Sequence, residues 1–95
     1  MISTAEVETA NAGKYLVQLA KHWSHKFPNL TWNDTRAEIP FPTGNCVLTS
    51  KESVLTIVLA VSNEETASRL ESVLAEHLNR FAFREPLDIV WRRTA

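Results

Sequence analysis

Glycine is scarce in this chain. Gly13 and Gly44 are the only two among 95 residues, too few and too far apart for a phosphate-cradling loop. Cysteine is scarcer still. Cys46 alone excludes an internal disulfide and fits a reducing compartment; in its apolar setting it reads as a buried, inert thiol. The longest apolar-rich run, Val54 to Val61, is far shorter than a membrane span. No charged-then-apolar leader opens the sequence, so a cytoplasmic protein without a membrane partner is expected. Paired carboxylates, a GxSxG elbow, an HExxH pair and zinc-knuckle spacing are all missing. Hydrolytic or nucleotide-dependent chemistry therefore has no positive support, and no cofactor is indicated. Acid is absent between Ala10 and Asn33, where Lys14, Lys21, Lys26 and two histidines stand.

What is present suits a single globular domain over residues 1–95. Apolar residues make up 44% and charged residues 22%, far from the disordered regime. A chain of this length buries roughly 60–65% of its unfolded surface, enough for one two-layer core. The net charge is −1, which draws it to no polyanion, and nucleic-acid binding would rest on three lysines alone. The charge is polarised, because Glu64 to Glu76 holds four of the eleven acids.

Periodicity places the elements. Ser3–Glu8 reads as a short edge strand with Ala5 and Val7 inward. Ala12, Leu16, Leu19, Ala20, Trp23 and Phe27 recur at helical spacing, predicting a helix over Asn11–Phe27 that Pro28 stops. Leu30–Trp32 is a candidate strand. Ala37, Ile39 and Phe41 share one face of the next, which Pro40 and Pro42 place at an edge or bend. A turn at Thr43-Gly44-Asn45 leads into Cys46–Ser50, and Lys51-Glu52 turns into Val54–Val61. From that strand Leu55, Ile57, Leu59 and Val61 face the core.

Ser62 and Glu65 form a capping-box signature. Behind it Ala67, Leu70, Val73, Leu74, His77, Leu78 and Phe81 line a second helix through Ala82. Leu87, Ile89 and Trp91 alternate as a last strand. The expected fold class is α+β: a two-layer sandwich of order β-α-β-β-β-β-α-β, its antiparallel or mixed sheet carrying both helices on one face.

All three histidines fall near helix ends. A helical wheel puts His25 opposite the core beside Lys14, Gln18 and Lys21, and His22 on the flank beside Tyr15 and Lys26. This is either a solvated basic face, an anion or partner surface, or half of a metal site. Zinc or iron normally takes three or four protein ligands, so a metal held by His22 and His77 is the one pairing retained.

His77 falls near the centre of the second helix's apolar face. There it is either a neutral core imidazole tied to a backbone carbonyl or a shifted imidazole lining a pocket. Arg80 and Arg84 are read as ion-paired with Glu76 and Glu85, or as guanidinium groups offered to a carboxylate or phosphate. Phe81 and Phe83 are expected in the core or walling a pocket, and Trp32 and Trp91 buried on strands.

Lys21-His22-Trp23-Ser24-His25-Lys26-Phe27-Pro28, then Ile39-Pro40-Phe41-Pro42 with Gly44, then His77-Leu78-Asn79-Arg80-Phe81-Ala82-Phe83-Arg84-Glu85 carry a resemblance. Nearly the whole chain resembles the small bacterial proteins grouped as domain of unknown function 2218. That resemblance implies no established activity. Members are sometimes labelled as an aldolase of hydroxy-diacids, and no lysine or metal constellation here supports such chemistry. Association with siderophore-interacting flavoprotein reductases implies a link to iron acquisition. The residues matching the family motifs are His22, His25, His77, Arg80, Arg84 and Glu85. Ala37 stands where the family often has glycine before its Ile-Pro-Phe strand.

Three functions follow as expectations. The preferred one is a non-catalytic binding or accessory domain for an anionic small molecule, a metal chelate or a partner protein, its site made of those six residues. The second is a structural or homodimeric protein without ligand. The third is an enzyme using His77 as general base.

Overall fold

The computed structural model describes residues 1–94. The chain runs β1 (Ile2–Glu8), α1 (Ala12–Ser24), β2 (Thr31–Trp32), β3 (Arg36–Phe41), β4 (Gly44–Lys51), β5 (Val54–Val61), α2 (Glu64–Phe81) and β6 (Trp91–Thr94). One six-stranded sheet has the order β2-β3-β4-β5-β1-β6. Every pairing in it is antiparallel, so the mixed alternative is excluded. The predicted class and element order hold. The expected edge position of β1 does not: this strand pairs with β5 on one side and β6 on the other. The last four described residues supply a partner that period-two alternation over 87–91 did not locate.

Alternation sorts the two faces. Ala5, Val7, Ala37, Ile39, Cys46, Leu48, Leu55, Ile57 and Leu59 are all buried against the helices, while Glu6, Glu8, Arg36 and Glu38 are exposed on the other side. From α1, Ala12, Leu16, Leu19, Ala20 and Trp23 enter the same core, joined by Ala67, Leu70, Leu74 and Leu78 from α2. Burial of the larger aliphatic side chains among them, at about 1.5–3 kcal/mol each, is the dominant stabilising contribution.

Element ends differ from expectation for local reasons. The first helix closes at Ser24, before Pro28, because the Lys26 and Phe27 amides both donate to the Trp23 carbonyl at 3.0 and 2.9 Å. Asn63, not Ser62, caps α2: its Oδ1 accepts from the Thr66 amide at 2.9 Å. Asparagine is as good a cap as serine, and Glu65 is thereby released to pair with Arg69 at 3.0 Å. The β4–β5 turn falls on Glu52-Ser53, one residue later than expected, with Glu52 at φ 56°.

Gly44 belongs to β4 rather than to the preceding turn. A Cβ there would lie 2.7 Å from both the Ala60 carbonyl oxygen and Val61 Cγ1, so close strand approach, not turn geometry, requires glycine. Pro40 lies beyond the short β2, whose two residues pair only with Glu38 and Ala37. The expected edge character of that part of β3 is therefore present.

Candidate functional site

The two helices meet along a seam that starts at the α1 N-terminus and ends at the His22 level. At one end the His22 and His77 rings touch, centroids 4.8 Å apart. Trp23 lies 4.8 Å from His77 and 5.4 Å from His22, and Phe81 is 6.2 Å from His22. Trp23 in turn meets Phe41 edge to face at 5.1 Å. The wheel's placement of His77 needs correction. It points into the seam and is half-buried rather than at the centre of the sheet-facing stripe, because Leu74 and Leu78 take that place.

His77 Nδ1 lies 2.7 Å from the Val73 carbonyl oxygen. A carbonyl only accepts, so Nδ1 carries the proton, and in the neutral ring Nε2 keeps its lone pair. His22 is held below its ordinary pKa by partial desolvation, then by the neighbouring His77, Lys26, Arg80 and His25. His25, the C-cap of α1, is exposed, and the structure does not bring it into the ring pair. No group of three or more His, Cys, Asp or Glu able to hold a metal occurs among the described residues.

At the other end of the seam lies a groove of about 450 Å³ lined by Asn11, Lys14, Tyr15, Phe81, Phe83, Arg84 and Glu85. Phe83 is 76% exposed, which overturns its expected core position, and the Arg84 guanidinium sits 5.2 Å above its ring. Arg84 does not pair with Glu85. Instead Glu85 accepts from Tyr15 Oη at 2.6 Å, Thr9 Oγ1 at 2.7 Å and Asn11 Nδ2 at 3.1 Å, bonds that pull its carboxyl below the usual range. The same Glu85 contact raises the Tyr15 phenol. Arg80 is engaged with Glu76 at 3.0 Å, as the ion-pair reading expected. Lys14 and Arg84 make no ion pair among the described residues.

Gln18 stands one turn from both Tyr15 and His22, between the two ends of the seam. Its Oε1 is buried with no hydrogen-bond partner among the described residues, an uncommon state for a buried acceptor. The wheel grouped Gln18 with the exposed Lys14, Lys21 and His25; it is half-buried instead.

A second polar cluster escaped sequence reasoning. Glu71 is buried in α2, accepting from Ser3 Oγ at 2.6 Å and from Arg93 Nε and Nη2 at 2.8 Å each. The Arg93 bonds outweigh desolvation and hold the Glu71 carboxyl below its usual range. Its signal was available: a lone carboxylate four residues after Ala67 and three before Leu74 sits on the apolar stripe. Trp32, expected to be buried, is 38% exposed, beyond the edge of the helix layer.

These features define a small two-layer α+β domain with an antiparallel sheet, a solvent-facing sheet surface and a cationic, aromatic seam between its helices. The chain belongs to the bacterial family described as "Uncharacterized protein conserved in bacteria (DUF2218)", whose profile matches residues 4–92. It is similar to PA4090 of Pseudomonas aeruginosa, whose structure was determined by NMR: 34% identity, 96% of this chain and 94% of that one covered, TM-score 0.79. Among curated proteins no match is found. No described helix is long and apolar enough to cross a membrane.

Proposed function

We propose that this protein is a non-catalytic binding or accessory domain whose helix seam takes an anionic small molecule or an anionic metal chelate. The observation that carries the reading is the pair of cations, Lys14 and Arg84, without an ion partner among the described residues, flanking a groove walled by Tyr15, Phe81 and Phe83. Arg84 offers a planar fork to a carboxylate or phosphate, and Lys14 adds a point charge in the same groove. Phe81 is shared between groove and imidazole pair, so a ligand in the groove reaches toward His22 and His77. Glu85 acts as a positioning group, fixing Tyr15 and Asn11 by hydrogen bonds. Arg80, His25 and Lys26 add positive potential near His22. A metal enters as part of a chelate, because two imidazoles leave most of its coordination sphere to other donors. The iron and siderophore association implied by the family resemblance fits a ligand of that class.

The test is a ¹H–¹⁵N NMR titration of the purified protein with citrate, ferric citrate and zinc chloride in turn. The expected result is saturable shifts with citrate and paramagnetic broadening with ferric citrate at Lys14, Tyr15, Phe83 and Arg84, both lost in Lys14→Ala and Arg84→Ala. Shifts and broadening absent from these residues with every probe would overturn the reading.

A further inference from the structure

The sheet surface opposite the helices is open and carries residues of both charge signs. Pairing registers align its outward residues in rows across the strands, and one row reads Thr31, Glu38, Val47, Val58, Thr4, Arg92 from β2 to β6. The next row reads Arg36, Thr49, Thr56, Glu6 from β3 to β1. Near the middle Val47 and Val58 are only half-buried, as is Val54 at the start of β5, and Ile2 and Val90, toward the β1–β6 side, are 38% and 58% exposed. Charge stands on both flanks: Arg36 and Glu38 on β3, which pair with each other at 2.9 Å within one chain, and Glu6, Glu8 and Arg92 on β1 and β6.

A two-fold axis running along the strands midway between β4 and β5 exchanges β4 with β5, β3 with β1, and β2 with β6. It leaves each row at its own height. Val47 then faces Val58 of the second copy, Arg36 faces Glu6, and Arg92 of the second copy arrives beside Glu38. Opposite charges meet at each flank and apolar side chains meet at the centre, the layout of an isologous interface. Aligned sheets pack face to face near −30°, a rotation that displaces the centre least.

We infer that two copies of this chain associate through their open sheet faces about that axis, with valines 47 and 58 central and Arg36–Glu6 and Glu38–Arg92 pairs at the flanks. The helix seams face outward on both sides of such a dimer, so the assembly is independent of what the seam binds.

Sedimentation velocity over a concentration series tests it, with circular dichroism verifying the fold of each variant. All the substituted residues are exposed. The wild-type chain should dimerise, and Arg36→Glu or Glu6→Arg alone should weaken association by about tenfold or more, as expected when an ion pair becomes a like-charge contact. The double variant Arg36→Glu with Glu6→Arg restores opposite charges and should recover the dimer. A monomer at every concentration, a dimer indifferent to both single reversals, or a double variant as weak as the singles would each overturn the inference.

Discussion

The His22 and His77 rings lie 4.8 Å apart with their planes tilted by 50°, so each imidazole occupies space where water would otherwise solvate the other. Protonating His22 would place a cation against His77 with Lys26, Arg80 and His25 nearby. Its folded pKa is accordingly lowered.

The sign of the resulting pH dependence is fixed. The unfolded chain binds a proton at His22 near the ordinary value of 6.5, and the folded chain binds it only at lower pH. Between those values the unfolded state holds more protons, so stability falls as pH drops below about 6.5. Thermal melts at pH 7.5 and 5.5 should show this loss, and His22→Gln should reduce it. An equal slope in the variant would rule out His22 as its source.

Glu71 gives the usual carboxylate case in a different window. Its folded pKa is lowered, chiefly by Arg93, so its contribution is complete above the ordinary value of 4.5 and is lost as pH falls through the folded value. Glu71→Ala removes the acceptor for Ser3 and Arg93 and should cost about 1–3 kcal/mol by urea denaturation at neutral pH. The effect should shrink at pH 3. A variant as stable as wild type at neutral pH would show that the cluster adds nothing.

Gly44→Ala should destabilise by about 1–3 kcal/mol, because the added methyl meets backbone at Ala60 and must displace a strand. Gly13→Ala should be mild, since its Cβ would meet nothing nearer than Ser50 Oγ at 3.5 Å. Chemical denaturation of the two variants side by side checks the contrast. Equal losses would contradict it.

Tyr15 is the only tyrosine, so phenolate absorbance reports it alone. It should titrate above its ordinary value of 10.0, held up first by the hydrogen bond to Glu85. Glu85→Gln removes the charge and should move the titration back toward 10.0. An unchanged titration would separate Tyr15 from Glu85.

Most of the architecture was legible because hydrophobic period maps directly onto burial. The inward sets of β3 and β5 and the α1 stripe all follow from alternation or helical spacing. β1's place inside the sheet was not legible, since its second partner is a polar segment, Trp91-Arg92-Arg93-Thr94, with no apolar alternation of its own. For the site, helical phase put His22 on the flank of α1 but set His77 at the centre of the sheet-facing stripe, where Leu74 and Leu78 stand instead. The partners of Glu85 were not foreseeable. They come from Thr9, Asn11 and Tyr15, more than 69 residues away in sequence, and depend on how the chain after α2 lies across the start of α1. The exposure of Phe83 has the same origin, since it follows the helix end and obeys no helical phase.

Beyond the two-residue β2, the outer border of the sheet is formed by Pro40, which lacks an amide hydrogen. An incoming foreign strand would find no continuous ladder of donors there, so this margin is guarded against runaway accretion into fibres. Replacing Pro40 with valine would remove that guard and leave the border able to template cross-β growth.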